Sequence, residues 1–452
     1  MSTVTSLSDA LRQLKDIRFL NILLLGFCSG FPWVLHGSVL TLWLQQSGLS
    51  RSAIGYVGAI ATVYAINWVW APFVDRIRLP WLYRWLGQRR SWIVLCQSVI
   101  VLAVISLSTT SPSNNLPLVS LLALLVAIAS ATLDIAVDAY RITIFHQDEM
   151  DEKMPYAAAV STTGWWAGYG FIGGAIAVAL GGESIGLAWS QVYQVIALMY
   201  LVLIALILKV SEPQAPPDDR DGLVAGESQR FELTQWLQSY VVQPFREFFN
   251  RCGLQLAVSV LLLLLVFRLG EGMLGRMSLV FYVEVGFSTD QISFYSKFFG
   301  GVVTAVFSLL AAALNTRFGV IRGLFFAGVA MAAANLLYAL LAVVGPSGNL
   351  LMLTLLIDNF FQAFATVAFI SFISYFTSRT YTGTQYALMA SISNFGRTTL
   401  AAGSGAVVDF LNGDWSFFFI LTTLMVIPGL CLLLWVSRLL KPFQERRANP
   451  GP

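Results

Sequence analysis

The sequence predicts an all-α polytopic membrane protein of twelve transmembrane helices in two six-helix halves, and three observations carry that expectation. Of 452 residues, 57% are hydrophobic and only 11% are charged, less than half the roughly 25% charge of a soluble globular chain. Mean hydropathy is +0.72. Apolar tracts of helical length recur from Phe19 almost to the C-terminus, each near the about 20 residues that cross a hydrocarbon core of about 30 Å. Such a composition excludes a soluble enzyme, a nucleic-acid binder and a secreted disulfide domain.

Gly, Pro, Asn and charge clusters mark the breaks between helices. The first tract, 19–46, follows a polar tail. It is too long for a signal peptide and lacks an A-x-A-like site, so it reads as an uncleaved helix. Helices at 52–74, 91–110, 117–145, 155–181 and 188–210 complete the first half. A polar segment, 211–230, rich in Pro and Asp, separates them from helices at 254–284, 289–314, 320–344, 349–378, 383–411 and 416–437. Within 231–250, Leu233, Leu237, Tyr240, Val241, Phe245, Phe248 and Phe249 fall at helical spacing, interrupted by Pro244. That pattern suits a short helix on the cytoplasmic membrane surface, or an ordinary packed loop. The expected organisation is a tail (1–18), a first bundle (19–210), a linker with an interfacial helix (211–253), a second bundle (254–437) and a second tail (438–452). Tyr156-Ala-Ala-Ala-Val-Ser opens the fifth helix and Tyr386-Ala-Leu-Met-Ala-Ser the eleventh, an echo expected of a transporter built from two repeats with its site near the midplane.

Charge placement sets the orientation. Most of the 27 Lys and Arg fall in the tails, the even-to-odd loops and the central linker, whereas the opposite loops hold only Arg51. Positive residues stay on the cytoplasmic side, so both termini are expected there. Four scattered cysteines and two histidines, His36 and His146, make no metal-ligand pattern. No metal and no cofactor are expected. Absence of a G-x-x-x-x-G-K-[ST] loop argues against a P-loop pump.

A short list of ionisable residues remains at membrane depth, where each is costly unless it faces a partner or water. Asp134, Asp138 and Arg141 lie at i, i+4 and i+7 on the fourth helix, one stripe. Asp134 and Asp138 are candidate proton carriers. Asp138 with Arg141 also reads as a structural ion pair closing the cytoplasmic end. On the seventh helix Arg268 and Glu271 lie at i and i+3 with Gly270 and Gly272 around them, either a proton-linked site or a self-neutralised pair, and Arg268 is, with Arg397, a candidate to bind the anion of a solute. Arg397, on the eleventh, suits bidentate capture of a carboxylate or phosphate, or pairs with Asp358 or Glu271. Lys297 and Arg276 either snorkel or line an entry path for an anionic solute. Trp165 and Trp166 lie about three turns into the fifth helix, where their rings either stack on a sugar or fill a core. Asn67, Gln362 and Asn394 are candidate amide partners for a polar solute. Gly164, Gly168, Gly170 and Gly174 supply two G-x-x-x-G spacings, a close-packing signal.

Between the second and third helices runs Trp70-Ala-Pro-Phe-Val-Asp75-Arg76, then Gly87-Gln-Arg89-Arg90. This resembles the signature loop of the major facilitator superfamily, with ten residues intervening where the usual spacing is tighter. By that resemblance Asp75, Arg76, Arg89 and Arg90 belong to a cytoplasmic gate, which Arg141 joins. Gly26-Phe-Cys-Ser-Gly30-Phe-Pro32, Asp134-Ile-Ala-Val-Asp138-Ala-Tyr, Arg268-Leu-Gly-Glu271, Thr384-Gln385-Tyr-Ala and Asn394-Phe-Gly-Arg397 are similar to motifs of the AmpG muropeptide permeases, in order along nearly all the membrane-embedded chain. The resemblance implies proton-driven import of N-acetylglucosaminyl-anhydromuropeptides across the bacterial inner membrane. Such import serves peptidoglycan recycling and, in some bacteria, β-lactamase induction. A lipid-embedded monomer working by alternating access, with no nucleic-acid partner, is expected. One departure stands out: the family's fifth helix carries a Tyr-Arg pair where this chain has Trp165-Trp166. Other readings are a transporter for another anionic conjugate such as a coenzyme A ester, peptide or drug, a membrane-embedded lipid-linked sugar transferase, and a sensor that binds without transporting.

Overall fold

The computed structural model describes residues 16–145, 149–213, 242–307, 320–376 and 382–448. These form twelve long helical runs and no strand: α1 (Ile17–Gln46), α2 (51–76), α3 (Gln88–Ser108), α4 (Leu116–Thr143), α5 (150–180), α6 (Trp189–Ile207), α7 (Leu254–Val285), α8 (289–307), α9 (Val320–Val344), α10 (Gly348–Phe376), α11 (382–410) and α12 (415–448). Most lie within a few residues of the sequence-predicted span; α12 runs eleven residues past its expected end at 437, and the predicted end of α8 lies outside the described residues. Nine of the described runs are long and apolar enough to cross a membrane. The other three are α5, which carries Ser161-Thr-Thr-Gly164, α8, whose description stops at 307, and α11, which carries Ser391, Ser393, Asn394 and Arg397. Polar residues concentrate where sites do.

Sequence-local chemistry explains the starts. Asp16 opens α1 by accepting from the Arg18 N–H, Ser50 opens α2 by accepting from the Ala53 N–H, and Asn115 opens α4 by accepting from the Leu118 N–H. Ser288 and Gln291 form a capping box at the head of α8, satisfying two N–H groups reciprocally. Pro244 does not interrupt the amphipathic segment as its position implied. It stands in the first turn of a short helix, Gln243–Cys252, where a missing N–H costs nothing. Residues 231–241 of that predicted segment lie outside the described residues. Phe248 is 3% exposed, packed with Leu256, Leu263, Phe369, Phe372 and Leu433, so this helix feeds a core.

The described chain falls into two compact units. The first comprises 1–47, 69–227 and 288–305, and the second 48–68, 228–287 and 306–452. Each therefore takes a short segment from the other half of the sequence. In the first unit, α1 and α5 meet backbone to backbone: a Cβ on Gly26, Gly30, Gly164 or Gly168 would collide with the carbonyl of Ser161, Trp165, Leu23 or Phe27 respectively. The G-x-x-x-G pattern of α5 thus finds its complement in Gly26 and Gly30 of α1. In the second unit, Gly55 of α2 lies against Ala402 and Gly405 of α11 against Arg51.

Carboxylates tie the adopted segments down. In the first unit Glu183, just beyond α5, accepts from the N–H groups of Thr289 (3.0 Å) and Asp290 (3.2 Å) at the head of α8, and Asp290 accepts from the Ser184 N–H at 2.8 Å. Although burial opposes it, these N–H donors hold the Glu183 carboxyl below its ordinary range. In the second unit Asp409, near the end of α11, accepts from the Ser52 N–H at 3.0 Å, and Arg51 reaches Glu284 at 2.8 Å and Asp409 at 3.2 Å. Helix N-termini leave such N–H groups open, and the same solution appears twice.

Candidate functional site

In the second unit the α7 run is broken in the middle. Its first part ends at Val266, Phe267 and Arg268 turn, and Leu269–Val285 resumes with Arg268 as N-cap at φ −102°, ψ 12°. Gly270 and Gly272 are poor helix formers, and the break places Glu271 in the first turn of the second part, where open N–H groups favour a negative charge. Arg268 grips Glu271 with two parallel bonds, Nε to Oε2 at 2.8 Å and Nη2 to Oε1 at 2.7 Å, the stronger bidentate geometry. Nη2 also reaches Thr366 Oγ1 at 3.4 Å. From α11, Arg397 Nη1 lies 3.7 Å from Glu271 Oε1.

Glycine sets that convergence. A Cβ on Gly272 would stand 2.5 Å from the Arg397 carbonyl oxygen, and one on Gly396 would collide with the Leu265 carbonyl. Side-chain exposure is 13% for Arg268, 6% for Glu271 and 36% for Arg397, so Arg397 is the accessible member. Asp358 lies elsewhere in the unit's bonding, accepting from Tyr338 Oη at 3.1 Å and Gln362 Nε2 at 3.2 Å. Gln362 thereby serves an acid of its own helix. Asn394 is half-buried one turn before Arg397, and Asn67 opens a 3₁₀ segment, Asn67–Val69.

The first unit holds the α4 stripe, and its two acids have different surroundings. Asp134, half-buried, accepts from Ser29 Oγ of α1 at 2.6 Å, and no ion pair to it is found among the described residues. Asp138 pairs with Arg141 at 2.9 Å, with 60% of its side chain exposed. Trp165 and Trp166 pack edge-on at 5.0 Å, and Trp165 lies 5.1 Å from Tyr169 and 6.2 Å from Trp33. Lys297 does not snorkel. It is 5% exposed and sits 4.4 Å over the Tyr169 ring.

Of the predicted gate, Asp75 and Arg76 lie on Ala71–Arg76, with side chains outside the described residues. Arg89 and Arg90 open α3, and their backbone N–H groups donate to Glu212 at 2.7 and 3.1 Å. The Arg90 guanidinium also reaches the Leu86 and Val210 carbonyls. Gly87, at φ +80°, leaves Glu212 the space a Cβ would take. Burial pushes the Glu212 carboxyl above its ordinary range, opposed by those N–H groups and by Arg90. Sequence reasoning missed Glu212: a lone acid beside Pro213 carries no periodicity. It missed Ser29 for the same reason.

No family model matches the chain. Among curated relatives, a Rickettsia conorii (strain ATCC VR-613 / Malish 7) protein named as transporter AmpG 4 is 32% identical over 423 residues, 94% of this chain and 97% of its own length. The anhydromuropeptide permease of Escherichia coli (strain K12) is 26% identical over 428 residues, 94% of this chain and 81% of the permease. Among solved structures, a mutant of the nucleoside transporter NupG superposes with a TM-score of 0.68 at 16% identity, covering 92% of this chain and 99% of its own. A D-xylose-proton symporter gives 0.65 at 15% identity, covering 92% and 96%. These likenesses establish the fold as that of major facilitator transporters.

Proposed function

As the chain belongs to the AmpG family of transporters, we propose that it imports N-acetylglucosaminyl-anhydromuropeptides across the bacterial inner membrane, coupled to protons, with both termini cytoplasmic. It is a multi-pass membrane transporter for a small molecule and not an enzyme. The observation that carries the substrate reading is the convergence of Arg268 and Arg397 on the one carboxylate of Glu271. An anionic solute meets Arg397, whose planar guanidinium binds carboxylates bidentately, while the tighter Arg268–Glu271 pair holds the broken helix in register. The relative named as an anhydromuropeptide permease supplies the class of anion.

Proton carriage falls to Asp134. A carboxylate held by a hydroxyl changes charge without orphaning a cation, whereas protonating Glu271 would strip Arg268 of its partner in a medium where lone charges are costly. Asp138, paired with Arg141, and the Arg89–Arg90 segment clamped by Glu212 form the gate, and Trp165 with Trp166 offers rings to the sugar. The positive-inside charge distribution supports the orientation.

The test is uptake of a radiolabelled anhydromuropeptide into proteoliposomes with and without an inward proton gradient. Gradient-stimulated uptake that is lost in Asp134→Asn and retained in Glu271→Gln supports this assignment. Loss in Glu271→Gln with retention in Asp134→Asn moves the proton to Glu271, and absence of uptake by folded protein overturns the substrate.

A further inference from the structure

The first unit contains a buried cation that the mechanism above does not use. Lys297 is 5% exposed, and its contacts among the described residues are the Tyr169 hydroxyl, at 3.4 Å, and the Tyr169 ring, 4.4 Å from Nζ to centroid. An ammonium carries three donors. One long bond and a ring face leave two of them without a partner among the described residues, in a setting where an ammonium is expensive. The cation–π contact offsets only part of that cost.

The surroundings are built around it. Gly174 of α5 lies alongside the lysine stem: a Cβ there would make ordinary contact with Lys297 Cδ at 3.5 Å. Gly301 of α8 brings the two helices together, since a Cβ there would stand 2.9 Å from the Phe171 N. Three π-helical segments lie in this unit: Leu35–Val39 with His36, Ala167–Phe171 with Tyr169, and Ser293–Phe299 with Lys297. Such segments recur at functional sites because they re-aim side chains at the cost of regular hydrogen bonding. A continuous set of rings runs from His36 to Trp33 (5.0 Å), Trp165 (6.2 Å) and Tyr169 (5.1 Å). Trp33, Trp165 and Tyr169 are each half-buried, so part of each ring remains open.

We propose that Trp33, Trp165, Tyr169 and Lys297 form a saccharide subsite with a carboxylate anchor, the rings packing on the apolar face of a sugar and Lys297 taking the lactyl carboxylate of a peptide-free disaccharide, a group that is an amide in the peptide-bearing form. This rests on the saccharide reading of the function but assigns a second anion contact, separate from Arg397.

Calorimetric titration of the full chain in nanodiscs tests it with two probes, the peptide-free disaccharide N-acetylglucosaminyl-anhydro-N-acetylmuramic acid and its carboxamide. The wild type should prefer the acid about ten- to hundredfold, the range of a charge-assisted bond. Lys297→Met should abolish that preference, and Lys297→Arg should keep most of it, with monodisperse elution showing both folded. Arg397→Gln should leave the preference in place. Equal affinity for acid and carboxamide, a preference unchanged in folded Lys297→Met, or no binding of either sugar overturns the subsite. Charge-selective disaccharide binding by a protein that fails to transport the muropeptide sustains the subsite and sinks only the transported substrate.

Discussion

On the proposed function Arg397 takes the anion and Asp134 the proton, and each residue makes its own prediction. Arg397→Gln should raise KM for the anhydromuropeptide about ten- to hundredfold, the worth of a charge-assisted bidentate contact, with a smaller change in kcat. Arg397→Lys should recover only part, since a point charge cannot reproduce the fork. Initial-rate uptake over a range of concentrations separates the two parameters. Asp134→Asn should leave substrate exchange at equal pH intact while cutting gradient-driven accumulation about tenfold or more, as expected when a group that carries protons is removed. Parallel counterflow and gradient assays check that split. The neighbourhood of Glu271 was partly legible in sequence, because Arg268 and Glu271 stand three residues apart on one helix. That Arg397 joins Glu271 and not Asp358 was not legible, since it depends on how closely α11 approaches α7 at Gly272 and Gly396. Lys297 shows the same limit: its charge suggested snorkelling, and it is buried against Tyr169 of another helix.

Helix starts were the most legible feature, because caps such as Ser50, Asn115 and Ser288 are local. Pro244 was misjudged for a physical reason, since a proline inside a periodic pattern looks the same whether it breaks a helix or begins one. Backbone-to-backbone packing of α1 on α5 is a property of the pair. Gly168→Val should lower stability by roughly 1–3 kcal/mol, the usual cost of forcing bulk into a filled contact, read as a lower unfolding midpoint in detergent. The head of α1 offers a pH test. Asp16 accepts from Arg18, which bonds Glu149 in turn, and Lys153 reaches both acids at 3.1 and 2.7 Å. The Arg18 hydrogen bonds hold the Asp16 carboxyl at about 2, below its ordinary 3.8. A depressed carboxylate adds stability above its unfolded value that is lost as pH falls through the folded one. The unfolding midpoint should therefore hold above about pH 4 and decline between about 4 and 2, and Asp16→Asn should flatten that part of the curve.

Across the whole molecule, repetition is the organising theme. Two sequence halves each lend a segment to a compact unit, and in each unit a carboxylate at the end of α5 or α11 satisfies the open N–H groups at the head of α8 or α2. Weak sequence echoes at Tyr156 and Tyr386 announced the repeat. They gave no sign of which segments would be exchanged, because that depends on contacts between helices far apart in the chain. The fold and the AmpG membership make the chain a transporter, and its central functional claim is that an anhydromuropeptide and a proton move together. The most direct test is to load proteoliposomes with a pH-sensitive dye, add the anhydromuropeptide outside at equal pH, and follow the lumen. Coupled import predicts lumenal acidification that scales with substrate uptake and disappears in Asp134→Asn. Uptake with an unchanged lumenal pH would contradict the account.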